Sequence, residues 1–127
     1  GLFDVQWNIF NMDGLYFNDP VAFDFVVGNP PYIAYTDLDI ETRQKTRDNF
    51  TSCAIGKFDY SYAFIEKGLS LLRNNGKMVI IAPSNMFKTV FGNKLRELIK
   101  NELIEIIDCT AINVFENVLT APAITIY

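Results

Sequence analysis

The stretch that most constrains this chain is Phe23-Asp24-Phe25-Val26-Val27-Gly28-Asn29-Pro30-Pro31-Tyr32, an apolar run that stops at a rigid turn of polar and aromatic residues. Residues 25–28 carry no charge and read as a strand buried on both faces, the pattern of a parallel sheet in an α/β fold. Such folds bind ligands at the carboxyl ends of their strands, and Asn29 leaves the run at that end.

A residue before proline is pushed into extended conformations, so Asn29 and Pro30 are both held extended, and the prolines have no N–H to donate. The turn is therefore an array of acceptors: the side-chain carbonyl of Asn29 and the backbone carbonyl of Pro30, with the ring of Tyr32 beside them. An exocyclic amino group on a planar base or amide suits that array. Two acceptors engaging its two N–H bonds favour a pyramidal nitrogen whose lone pair is withdrawn from the ring and aimed at an electrophile. Preorganised electrostatics of this kind lowers a barrier without a general base. The plainer alternative is an ordinary loop with two prolines.

Residues 23–33 resemble the catalytic motif of S-adenosylmethionine-dependent amino-methyltransferases, most closely the adenine-N6 DNA methyltransferases of restriction-modification systems. The resemblance implies an α/β chain with a partial Rossmann-like methyltransferase fold, its mixed sheet having one antiparallel strand near the C-terminus. It implies catalytic roles for Asn29, Pro30, Pro31 and Tyr32, with Asn29 and Pro31 also facing the cofactor S-adenosylmethionine. It further implies DNA as partner, with the target adenine flipped out of the duplex. Related enzymes use the same turn on glutamine amides and RNA bases, and a non-catalytic docking fragment is a further alternative.

At 127 residues, 50% hydrophobic and 14% aromatic, the chain has the material for one packed domain. A net charge of -4 argues against a free-standing nucleic-acid binder, so most phosphate contacts are expected from another segment. There is no histidine, which removes the commonest general base and metal ligand, and no metal site is expected. Cys53 and Cys109 stand far apart without a Cys-x-x-Cys pairing, so neither zinc nor a disulfide framework is indicated and the cytoplasm fits. No apolar run is long enough to span a bilayer, and the first residues lack the pattern of a signal peptide.

In chain order, residues 5–10 alternate loosely and read as a strand ending near Asp13-Gly14. In the resembled family an acid at this place accepts from the adenine amino group of the cofactor; otherwise Asp13 is a turn aspartate. Gly14 departs from the family pattern, which often has a bulky apolar residue there. Residues 37–48 read as a short surface helix capped by Thr36 or Asp37, with Arg43, Lys45 and Arg47 available either to phosphate or to solvent. Asp59 caps a helix over 60–73 whose apolar stripe is Tyr60, Ala63, Phe64, Leu71 and Leu72, closed by Gly76. Phe64 matches an aromatic that lies against the cofactor adenine in similar enzymes, and is otherwise a core residue. A helix over 94–101, capped by Asn93, turns Leu95, Leu98 and Ile99 inward.

Residues 113–120 resemble a late motif of the same methyltransferases, in which the residue matching Phe115 contacts the extruded adenine; a loop phenylalanine is otherwise usually core. Strands over 23–28, 78–82, 120–127 and 104–108 are expected to lie side by side in that spatial order, the third antiparallel to the rest. The whole chain, 1–127, then corresponds to part of a catalytic domain. The glycine-rich cofactor turn would precede it, a target-recognition domain would follow it, and the chain alone would be inactive. Strand 23–28 would be an apolar edge, which must be covered by strand 5–10 or by a second copy of the chain.

Overall fold

The apolar run forms strand β1 (Phe23–Gly28) in the computed structural model, which describes residues 4–19, 22–112, 114 and 121–127. After the Asn-Pro-Pro-Tyr turn come α1 (Ile40–Asn49), α2 (Ser61–Ser70), β2 (Leu72–Pro83), α3 (Asn93–Ile99), β3 (Glu105–Asp108) and β4 (Pro122–Ile126). The sheet order is β1-β2-β4-β3, with β1 parallel to β2 and β4 antiparallel to both of its neighbours. This is the expected strand order, and it brings the carboxyl ends of β1 and β2 to one edge.

The core lies between the sheet and α2. Val26 and Gly28 on β1 stand beside Met78 and Ile80 on β2, and Ile80 and Ala82 on β2 are in register with Thr125 and Ala123 on β4. Burial of Met78, Ile80, Ala82 and Ala123 supplies the apolar drive. Thr125, fully buried, donates its hydroxyl to the carbonyl of Ile80 at 3.2 Å, so its polar atom costs little. Gly28 has a steric reason to be glycine, since a Cβ there would stand 3.1 Å from Ile80 Cδ1.

The structure corrects several expectations. Strand β1 is half-buried on one face and open on the other, because Phe25 and Val27 are 73% and 80% exposed on the side away from α2. Residues 5–10 form no strand; Trp7 and Ile9 are exposed, and the Phe10–Phe17–Phe23 rings link this segment towards the start of β1. Among the described residues, nothing pairs with the outer edge of β1.

Helix α2 stops at Ser70 and not at 73, because Phe23 donates its N–H to the carbonyl of Leu71 and Leu72 is drawn into register with Phe23. Gly76 is consequently no helix cap. It lies within β2, where the register against β1 jumps from Phe23–Leu72 to Phe25–Lys77 and Asn75 takes the left-handed conformation (φ 64), and a Cβ on Gly76 would stand 3.0 Å from the carbonyl oxygen of Phe23.

The buried stripe of α2 is Ser61, Tyr62, Ala63, Ile65 and Gly68, leaving Tyr60 and Phe64 at its half-exposed rim. The cap of α1 is Asp39, which accepts from Thr42 N at 2.8 Å and from the Thr42 hydroxyl at 2.6 Å; Thr36 and Asp37 lie in the preceding 3-10 turn. Asn93 is the first residue of α3 and makes no side-chain cap. Its inward face is Leu95 and Ile99 as expected, with Leu98 half-buried.

Candidate active site

Asn29 emerges, exposed, directly past the carboxyl end of β1, followed by a buried Pro30, an exposed Pro31 and a half-buried Tyr32. The loop is then fastened to α2. Tyr60 donates its N–H to the carbonyl of Ile33 at 2.9 Å, and Ala34 bridges Asp59 in an antiparallel step. Asp59 in turn accepts from Ser61 N at 3.0 Å and from the Ser61 hydroxyl at 2.6 Å, which ties off the start of the helix, although the N-cap position falls on Tyr60 and not on Asp59 as expected.

The electrostatics of this corner keep its phenols neutral. Burial pushes the Tyr32 phenol above the usual tyrosine range, and nearby Asp59 and Cys109 push the same way. Tyr32 therefore presents a neutral ring and holds its proton. Burial also raises the Asp59 carboxyl, against the lowering pull of Ser61. Cys53, fully buried, has its thiol pushed up to about 12, chiefly by burial, and is chemically inert there.

Asp13 lies beside a turn that packs against α2. It caps the 3-10 turn Gly14–Tyr16, with Oδ1 accepting from Leu15 N at 3.0 Å, so the turn reading of this residue is realised. Its charge also reaches Tyr60, whose phenol is raised first by burial and then by Asp13. Tyr60 and Phe64 meet edge to face at 5.4 Å, both half-exposed. The donor set of this rim fits the adenine end of S-adenosylmethionine: a carboxylate for an exocyclic amino group and aromatic rings for a planar base.

The loop residues Asn29 to Tyr32 and the rim residues Asp13, Tyr60 and Phe64 are thus joined through Ile33 and Tyr60. Phe115 lies outside the described residues.

The basic residues of α1 turn inward to their own chain. Arg43 donates to the carbonyl of Thr36 at 2.7 Å and lies over the Tyr35 ring, Arg47 donates to the carbonyl of Gly56 at 2.8 Å, and Lys45 sits 3.7 Å over the Tyr16 ring. Sequence reasoning missed this strapping role. Its signal was the i, i+4 spacing of Arg43 and Arg47 on a helix that follows Tyr35. It also missed Glu66, whose two carboxylate oxygens accept from Thr51 N at 3.0 Å and Ser52 N at 2.7 Å across the fold.

In fold, the chain superposes on a protein described as a class I S-adenosylmethionine-dependent methyltransferase from Listeria monocytogenes. The TM-score is 0.69 at 24% identity, over 90% of this chain and 34% of that one. It superposes likewise on the methyltransferase subunit of a type I restriction-modification system from Streptococcus thermophilus, with a TM-score of 0.64 at 24% identity, over 91% of this chain and 26% of that one. The fold is that of S-adenosylmethionine-dependent methyltransferases.

In sequence, the chain is 36% identical over 109 residues to Type II methyltransferase M.BstVI of Geobacillus stearothermophilus, covering 84% of this chain and 19% of that protein. It is 32% identical over 112 residues to Type II methyltransferase M.XhoI of Xanthomonas vasicola, covering 84% of this chain and 20% of that protein. A third relative is Type II restriction enzyme and methyltransferase RM.Eco57I of Escherichia coli, 32% identical over 103 residues, 77% of this chain and 10% of that protein. The chain therefore spans a fifth or less of the length of these curated relatives. Residues 2–115 match the Eco57I restriction-modification methylase family, and the chain belongs to that family.

Proposed function

We propose that residues 1–127 are the catalytic portion of a larger S-adenosylmethionine-dependent DNA methyltransferase that modifies the N6 amino group of adenine. The observation that carries this reading is the placement of Asn29, Pro30, Pro31 and Tyr32 at the carboxyl end of β1, hydrogen-bonded through Ile33 to the helix that carries Phe64.

In this reading the Asn29 side-chain carbonyl and the Pro30 backbone carbonyl accept the two N–H bonds of the target amine, holding its lone pair out of the ring. Because a paired adenine hides its amino group, the base is flipped out and laid on the neutral ring of Tyr32, with Phe115 as a second stacking partner. Stacking of this kind is worth about 1 to 3 kcal/mol per base. Asp13 and Phe64 hold the adenine end of the cofactor, and Asn29 and Pro31 border it. Bound S-adenosylmethionine supplies the electrophilic methyl group.

Most of the phosphate contacts come from other parts of the enzyme, since Arg43, Lys45 and Arg47 are engaged within the chain and the net charge is -4. Among the described residues no helix is long and apolar enough to cross a membrane, and we place the enzyme in the cytoplasm with its DNA. The isolated chain is inactive in this reading, and its open β1 edge, with Phe25 and Val27 exposed, pairs with a second copy. Incubating the full-length enzyme and labelled S-adenosylmethionine with adenine-containing duplex, RNA and a glutamine peptide tests the proposal. Label in the duplex alone supports it; label only in RNA or peptide, or in none, refutes it.

A further inference from the structure

Beside the Asn29–Tyr32 loop, and separate from the rim formed by Asp13 and Phe64, a cleft of about 180 Å³ opens among three loops. Its lining is aromatic: half-buried Tyr35 is backed edge to face at 5.3 Å by the fully buried Phe58, and Phe91, 44% exposed with its ring packed on Gly56, supplies the open face. Gly56 (φ 75) is the residue that admits this approach, because a Cβ there would stand 2.6 Å from the Phe91 ring. Asp59 and Asn85 bring polar oxygens to the lining, and the exposed Lys57 brings a cation.

The walls are held in place from behind. Arg43 and Arg47 hold the carbonyls of Thr36 and Gly56, and Arg96 on α3 donates to the carbonyls of Met86 and Thr89 at 2.7 and 2.8 Å. Charge-assisted bonds to backbone carbonyls on both sides make this a preformed cleft and not a gap between mobile loops.

The chemistry selects the occupant. Aromatic walls, a rim able to accept hydrogen bonds and a single ammonium outside match a base within and a phosphate at the mouth. Three Cα–Cα steps, through Ile33 and Ala34, separate Tyr32 from Tyr35, at most roughly 10 Å, which is within reach of the next nucleotide on the same strand.

We propose that this cleft seats a second unstacked nucleobase, that of a nucleotide adjoining the target adenine. The proposal rests on the DNA reading above. It is tested in the full-length enzyme with duplexes carrying an abasic site on one or the other side of the target, combined with Phe91→Ala. Phe91→Leu, which keeps apolar packing on Gly56 without the aromatic face, serves if the alanine variant fails to fold.

The expected result is a fall of about tenfold in kcat/KM for wild type on one of the two abasic substrates and for the variant on intact duplex, with no further fall when the two are combined. Losses that multiply, or an absence of loss from either change, overturn the cleft proposal while methylation by wild type leaves the DNA reading standing. Failure of wild type to methylate any adenine duplex overturns both.

Discussion

The backbone N–H of Tyr60 donates to the carbonyl of Ile33 at 2.9 Å, joining the residue after Tyr32 to the residue after Asp59. This bond couples the loop that bears the acceptor array to the helix that bears Phe64, so the geometry of one sets that of the other. Rigid support of this kind is what a site built on oriented carbonyls requires.

Asp59, in the same junction, makes the coupling sensitive to pH. Burial lets its carboxyl keep a proton to higher pH in the folded than in the unfolded chain, so the native state binds more protons across that window. Its contribution is full below the unfolded pKa and is lost as pH rises through the folded one. Asp59→Asn removes this titration while keeping an acceptor for Ser61. Asp39 and Asp108, lowered by Thr42 and Thr110, titrate alike in both proteins and cancel. The melting temperature of Asp59→Asn relative to wild type should therefore rise with pH through the carboxylate range; a difference that is flat or falls contradicts this assignment.

Glu66 is a stability residue away from the chemistry. Its carboxylate satisfies Thr51 N and Ser52 N at the 3-10 turn Thr51–Cys53, and hydrogen bonds to a charged group are the stronger kind. Glu66→Ala should lower unfolding stability by about 2 kcal/mol, read as a lower urea midpoint with an unchanged slope. A midpoint equal to that of wild type would show that the turn stands without it.

Much of this architecture was legible in the sequence. Four apolar runs located the strands and the family resemblance implied their order β1-β2-β4-β3, and the exit of Asn29 at a strand's carboxyl end followed from where the charge-free run stops. What was not legible depended on partners distant in sequence. Residues 5–10 have a strand-like composition, but a strand exists only if something pairs with it, and among the described residues nothing does. The end of α2 was misplaced because the bond from Phe23 N to the Leu71 carbonyl, across the fold, outweighs the helical preference of Leu72. The engagement of Arg43 and Arg47 with Thr36 and Gly56 was hidden for the same reason, since exposed charges and strapping charges look alike in a sequence.

In the proposed reading Tyr32 offers its ring and not its hydroxyl. Its raised phenol stays protonated, and stacking is a property of the face. In the full-length enzyme Tyr32→Phe should methylate within a few-fold of wild type, whereas Tyr32→Ala should lose about tenfold or more. Equal impairment of the two variants in steady-state assays would assign the hydroxyl a chemical role.

Asn29 is exposed at the end of β1, so its replacement leaves the core untouched. Asn29→Ala should melt with wild type yet lose about a hundredfold or more in kcat, as expected when a preorganised hydrogen-bonding group is removed. Turnover within tenfold of wild type contradicts the acceptor array.

The central claim is that this turn acts on the exocyclic amine of adenine. Its most direct measurement is methyl transfer from labelled S-adenosylmethionine by the full-length enzyme to paired duplexes in which each target adenine is either intact or replaced by purine, which lacks the amino group. The account predicts label on N6 of the intact adenine and none in the purine duplex. Label that persists in the purine duplex would contradict it.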